Sequence, residues 1–132
     1  MTSRSWKILI VDDEPDLCDL VSEEFEFAGC KTLRASSGNQ AIKVFEGNDI
    51  DAVVSDVRMP DGNGIDLLRN IRSSSNPSAL VFLVSGFADI SKEKALEAGA
   101  AALIGKPYDI GSICQIVLRA LEKEDSVGRA KN

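Results

Sequence analysis

Asp51-Ala52-Val53-Val54-Ser55-Asp56-Val57-Arg58-Met59-Pro60-Asp61-Gly62 is an apolar, β-branched run that stops at one acid and passes at once into a loop with Pro and Gly signals. Such a run, bounded on both sides by polar residues, reads as a strand buried on both faces. In a parallel sheet covered by helices, ligands bind just beyond the carboxyl ends of the strands. An acid at that position is held toward solvent by a rigid element, so Asp56 is the first candidate for chemistry.

Outward from this stretch the same pattern recurs. Toward the N-terminus, Trp6 to Val11 is a short apolar run ending in Asp12-Asp13. Pro15 suits a first helical position, and Leu17, Leu20, Val21, Phe25 and Ala28 then share one helical face, which Gly29 closes. Cys30 to Ala35 is a weaker, more polar strand and reads as an edge. Ser37-Gly38-Asn39-Gln40 has capping-box spacing before a helix with Ala41, Val44 and Phe45 inward and Gly47 near its end. Toward the C-terminus, Asn63 can cap a helix carrying Ile65, Leu68 and Ile71, and Asn76-Pro77 breaks it. Ala79 to Val84 is a fourth buried strand ending at Ser85-Gly86. Asp89 or Ser91 opens a short helix that stops at Gly99, with Ile90, Ala95, Leu96 and Ala98 toward the core. Ala101 to Gly105 is a fifth strand ending at Lys106-Pro107, and Asp109 caps a last helix with Ile110, Ile113, Val117 and Leu121 in register.

Strands alternating with helices predict an α/β fold, a doubly wound five-stranded parallel sheet. Right-handed crossovers leave few strand orders, and the expected one is 2-1-3-4-5, that of the flavodoxin-like (βα)5 fold. The expected domain is 6–123, with 1–5 and 124–132 as flexible ends.

Composition narrows the function classes. A chain of 132 residues, 44% hydrophobic and 27% charged, has the make-up of one soluble domain with its own core. No apolar run is long enough to span a membrane, and no apolar signal core follows the N-terminus. Cys18, Cys30 and Cys114 are odd in number and set in apolar stretches, which reads as buried free thiols in a reducing cytoplasm. A net charge of −6 argues against nucleic-acid binding through a basic surface. Histidine is absent, which removes imidazole acid–base chemistry and most zinc sites.

Four of the five strands finish in residues able to do chemistry: Asp12-Asp13, Asp56, Ser85 and Lys106. Each has an ordinary alternative. The acid pair could cap a helix, Asp56 and Ser85 could be turn residues, and Lys106 could be a solvated surface lysine. In the order 2-1-3-4-5, however, all four ends converge on one crevice. Three carboxylates there repel, so one must take up a proton or a cation must sit among them. With oxygen ligands alone the ion is hard, and Mg²⁺ suits a site that also holds phosphate. Lys106 can then pair with a phosphoryl oxygen, Ser85 can hydrogen-bond another, and Asp56 can act as a nucleophile forming an acyl phosphate.

Taken in order and spacing, Asp12-Asp13, Asp56 with Met59-Pro60-Asp61-Gly62, Ser85-Gly86 and Lys106-Pro107 resemble the receiver domain of bacterial two-component response regulators, from about Lys7 to Glu122. The resemblance implies a signalling domain rather than an enzyme, taking a phosphoryl group onto Asp56 from a sensor histidine kinase or histidine phosphotransfer protein. It implies Mg²⁺ held by Asp13, Asp56 and the Arg58 main-chain carbonyl, with Asp12 acting through water. Lys106 and Ser85 would contact the phosphoryl group, the Lys106–Pro107 bond would be cis, and water would reset the switch. It leaves the output partner open, allows a phosphorylation-dependent homodimer, and implies no direct nucleic-acid contact by this domain. The chain is either a stand-alone regulator or a receiver from a longer transcriptional regulator or hybrid kinase. One departure stands out: the Tyr or Phe usual three residues before the lysine is Leu103 here. The segment from Phe87 to Gly99 is the candidate moving part, and Arg58 and Phe87 could overhang the acyl phosphate. Two alternatives stand beside this reading, a flavodoxin-like binding module without phosphorylation and, from another class, a haloacid-dehalogenase-like phosphatase. Its Asp-x-Asp pattern meets Arg58 at the second position, and no cap domain is apparent.

Overall fold

The structure, a computed structural model, describes residues 5–86 and 90–126, without the side chains of 125 and 126. Five strands alternate with five helices: β1 (Lys7–Val11), α1 (Pro15–Phe27), β2 (Lys31–Ala35), α2 (Gly38–Glu46), β3 (Ala52–Asp56), α3 (Gly64–Arg72), β4 (Leu80–Ser85), α4 (Lys92–Glu97), β5 (Ala102–Gly105) and α5 (Ile110–Ser126). All strand pairs are parallel and the order is β2-β1-β3-β4-β5. The expected flavodoxin-like order is therefore observed, with the polar second strand at an edge.

The alternation of side chains along buried strands supplies two cores rather than one. Leu9, Val11, Val53, Val81 and Leu83 face α2 and α3, where Ala41, Phe45, Leu67, Leu68 and Ile71 meet them. Ile8, Ile10, Val54, Phe82 and Val84 point the other way, onto Cys18, Val21 and Phe25 of α1 and Ile113, Val117 and Leu121 of α5. Each large apolar side chain so buried contributes roughly 1.5–3 kcal/mol. The three cysteines are buried and free. Among the described residues no helix is long and apolar enough to cross a membrane.

Local signals act largely as expected. Ser37, Asn63 and Ser91 each accept the backbone N–H three residues on and so cap α2, α3 and α4. Asp109 Oδ2 takes the Ser112 N–H at 3.2 Å. The capping box at α2 is incomplete: Gln40 turns its amide oxygen to the backbone N–H and hydroxyl of Ser36, not to the N–H of the cap residue Ser37. Leu96 does not face the core. It is 43% exposed, and Ala95 is the fully buried side chain of α4. A six-residue helix makes under two turns, so its apolar face is one residue wide. Strand β4 takes in Ser85, β2 begins at Lys31 and β5 at Ala102, and α5 continues past Lys123 to Ser126. Asp89, the other candidate cap of α4, lies outside the described residues, as do Phe87 and the stretch 127–132.

Candidate functional site

Parallel register brings the strand ends level. Val11 pairs with Ser55, Asp56 with Val84, and Ser85 with Gly105. Asp12, Asp56, Ser85 and Lys106 therefore leave the sheet along one rim, at its carboxyl end. Two backbone bonds continue the pairing past the strands, from Val57 N–H to the Val84 carbonyl and from Lys106 N–H to the Ser85 carbonyl, both 2.9 Å.

On this rim Asp12, Asp13 and Asp56 each offer a carboxylate oxygen, and the three oxygens lie within 4.8 Å of one another. Asp56 is 6% exposed and Asp12 9%, while Asp13 is open to solvent. Lys106 Nζ donates to Asp56 Oδ2 at 2.9 Å. The other oxygen, Asp56 Oδ1, is buried and has no hydrogen-bond partner among the described residues. Buried acceptors are almost always satisfied, and an orphaned one costs about 1–3 kcal/mol, more when charged. An unpartnered carboxylate oxygen among three acids is the environment a hard cation relieves. The donor set, all oxygen with no imidazole or thiolate in reach, fits Mg²⁺.

The electrostatics follow from this crowding. Burial raises the Asp12 carboxyl above its ordinary pKa. The Glu14 N–H bonded to its Oδ1 at 2.9 Å opposes that, and the charges of Asp56 and Asp13 reinforce it. Asp12 thus serves locally as a turn acid ahead of α1 while facing the other two carboxylates. Burial alone would lower the Lys106 ammonium, but the hydrogen bond to Asp56 and its charge, together with Asp12, outweigh that and hold Lys106 above the usual lysine value. Tyr108 is also raised, by burial first and then by the Asp12 carboxylate.

The loop after Asp56 is tied down at both ends. Gly64 N–H bonds the Val57 carbonyl at 2.9 Å. A Cβ on Gly64 would stand 2.5 Å from the Asp56 carbonyl oxygen, so only glycine lets α3 start this close to the end of β3. Asp61 and Gly62 have φ of 58° and 96°, the left-handed turn that reverses the chain.

Of the residues singled out from sequence, Asp12, Asp13, Asp56 and Lys106 are gathered around one point. Ser85 lies on the same rim, buried, its hydroxyl donating to the Gly86 carbonyl at 2.8 Å. Arg58 stands two residues past Asp56 with an exposed side chain, and the Lys106–Pro107 bond is cis. Leu103 packs, half-buried, against the core on the sheet face that also buries Ala95 of α4, in register with Leu83. Sequence reasoning missed Gly64, although a glycine one residue after a helix cap and eight after the site acid marks a close approach. It also gave Tyr108 no place. With Glu14, Leu17, Gly86, Lys106 and Pro107, Tyr108 lines an open groove of about 630 Å³ beside the acids. A polar hollow of about 430 Å³ near Phe45 and Asn76 opens at the opposite end of the sheet, away from this chemistry.

Comparison with known proteins gives a family model, the response regulator receiver domain, matched over residues 8–118. The regulatory protein AtoC of Escherichia coli is 34% identical over 117 residues, covering 88% of this chain and 25% of AtoC. The response regulator SaeR of Staphylococcus aureus is 34% identical over 112 residues, 85% of this chain and 47% of SaeR. The chain thus spans less than half the length of these relatives. Among solved structures, a CheY-like receiver domain protein from Methanospirillum hungatei superposes with a TM-score of 0.87 at 25% identity, covering 95% of this chain and all of that one.

Proposed function

This chain belongs to the response regulator receiver domain family, and from that membership we propose that it is a phosphorylation-controlled switch whose acceptor is Asp56. The observation that carries the reading is the state of that carboxylate. It is buried at a strand end, paired through one oxygen to Lys106 and, among the described residues, unpartnered at the other, with two further acids within 4.8 Å.

The donor is a phosphohistidine on a sensor kinase or phosphotransfer protein. An Asp56 oxygen bonds to phosphorus as the phosphorus–nitrogen bond breaks, and the imidazole leaves with the electron pair and takes up a proton. Lys106, held at the rim by the Asp56 pair, is placed to offset charge on the transferred group, and the Ser85 hydroxyl to bond one of its oxygens. Asp13, Asp56 and the Arg58 carbonyl would hold Mg²⁺, with Asp12 reached through water. When bound, the ion neutralises the acids and the incoming phosphoryl oxygens. Water attack at phosphorus returns the carboxylate and releases phosphate. The groove of Leu17, Pro107 and Tyr108 beside Lys106 offers the approaching donor an apolar footing. With Leu103 where an aromatic ring is usual, the response passes from Ser85 toward α4 without a ring rotation.

The test is transfer of labelled phosphate from a phosphohistidine donor protein. The parent chain should become labelled only with Mg²⁺, and hydroxylamine should strip the label, as it does an acyl phosphate. Labelling that survives hydroxylamine, or an Asp56→Asn chain that accepts label equally, overturns the reading.

A further inference from the structure

The loop from Val57 to Asn63, which carries Arg58, is held by α2 as well as by its own strand. Gly38 N–H donates to the Gly62 carbonyl at 2.8 Å and Asn39 N–H to the Asp61 carbonyl at 3.2 Å. The Asn39 side-chain amide donates to Asp61 Oδ1 at 2.8 Å, and the Ser37 hydroxyl, the α2 cap, donates to Asp61 Oδ2 at 3.3 Å. Thus the first N–H groups of α2, which lack partners within their own helix, are satisfied by the two residues of the left-handed turn. The fit is steric as well. A Cβ on Gly38 would lie 2.5 Å from the Gly62 carbonyl oxygen and 2.7 Å from its carbon. One on Gly62 would lie 2.9 Å from the Asn39 nitrogen. Gly38 is buried and its φ lies outside the left-handed region. Helix propensity alone would therefore prefer alanine there. Its glycine answers to the approach of the loop.

We propose that Gly38 and Asn39 are positioning residues for the phosphoacceptor loop: by clasping Asp61-Gly62 they fix the segment whose Arg58 carbonyl would complete the Mg²⁺ site. The inference rests on the reading of Asp56 and its acids as that site. Groups behind metal ligands commonly set affinity by an order of magnitude or more when they alone are changed.

The experiment compares the parent with Gly38→Ala and Asn39→Ala by calorimetric Mg²⁺ titration and by hydrogen exchange of amides 57–63 in the metal-free chains. Gly38→Ala should raise the Mg²⁺ dissociation constant about tenfold and speed exchange in the loop, with helical circular dichroism retained. Asn39→Ala, which loses one exposed hydrogen bond, should raise it about threefold. Phosphorylation by a small acyl phosphate should need correspondingly more Mg²⁺ yet reach the parental rate at saturation. Should Gly38→Ala fail to fold, Asn39→Ala decides. Unchanged Mg²⁺ affinity in the folded variants overturns the clasp while leaving the site reading intact. A parent chain that binds no Mg²⁺ overturns both.

Discussion

Replacing Asp12 by asparagine should stabilise the metal-free chain and weaken its response to Mg²⁺. The substitution keeps the Oδ1 acceptor that bonds the Glu14 N–H at 2.9 Å, so the turn ahead of α1 survives and only the charge is lost. Two unit charges 4.8 Å apart, the limiting separation here, repel by about 3.5 kcal/mol at an effective dielectric near 20 and by about 0.9 in bulk water. Lys106 cancels part of that, leaving a net gain on the order of 1 kcal/mol. The sign follows from linkage. Asp12 has a raised carboxyl pKa in the folded chain, so folding favours its neutral form. The stability tied to it is complete below the ordinary carboxylate pKa and lost as pH rises through the raised value. Asparagine removes that loss, so its advantage grows as pH rises through the raised value. With Mg²⁺ the order reverses, because a ligand at a hundredfold its dissociation constant stabilises the parent by about 2.7 kcal/mol and the variant has one acid fewer. Urea unfolding in EDTA and in saturating Mg²⁺ should therefore give crossing ranks, with the EDTA difference vanishing in acid. A variant less stable than the parent in EDTA at pH 7, or one with the same Mg²⁺ gain, refutes the reasoning.

Two other substitutions probe the frame. Gly64→Ala would press a Cβ to 2.5 Å from the Asp56 carbonyl oxygen. It should cost about 1–3 kcal/mol in urea unfolding and slow phosphorylation, whereas unchanged stability would mean α3 is free to slide from β3. Burial pushes the Cys30 thiol up to about 11 from 9.0, so its contribution to stability is whole below pH 9 and falls away as pH climbs toward 11. Cys30→Ala should lose less stability than the parent over that interval, by on the order of 2 kcal/mol. Equal losses would contradict it.

Most of the frame was legible because strands buried on both faces leave continuous apolar runs, and because Ser37, Asn63, Ser91 and Pro15 are strong local punctuation. The gathering of Asp12, Asp13, Asp56 and Lys106 was legible for a topological reason: parallel strands put all their carboxyl ends on one rim. What stayed hidden depends on tertiary contact. Leu96 stands about 100° round the helix from Ala95, and a helix this short buries only one of them. Arg72 reads as an ordinary helix-end cation, but its guanidinium binds the carbonyls of Pro77, Ala79 and Gly99 and ties α3 to the turn after α4. Gly38 looks like a weak helix residue until the opposing Gly62 carbonyl is in view.

Intact mass spectrometry after incubation with a small acyl phosphate bears most directly on Asp56. The parent chain should gain the mass of one phosphoryl group when Mg²⁺ is present and none in EDTA, while Asp56→Asn gains none in either buffer. A parent that stays unmodified with Mg²⁺, or an Asp56→Asn chain that gains the group as readily, would contradict the assignment.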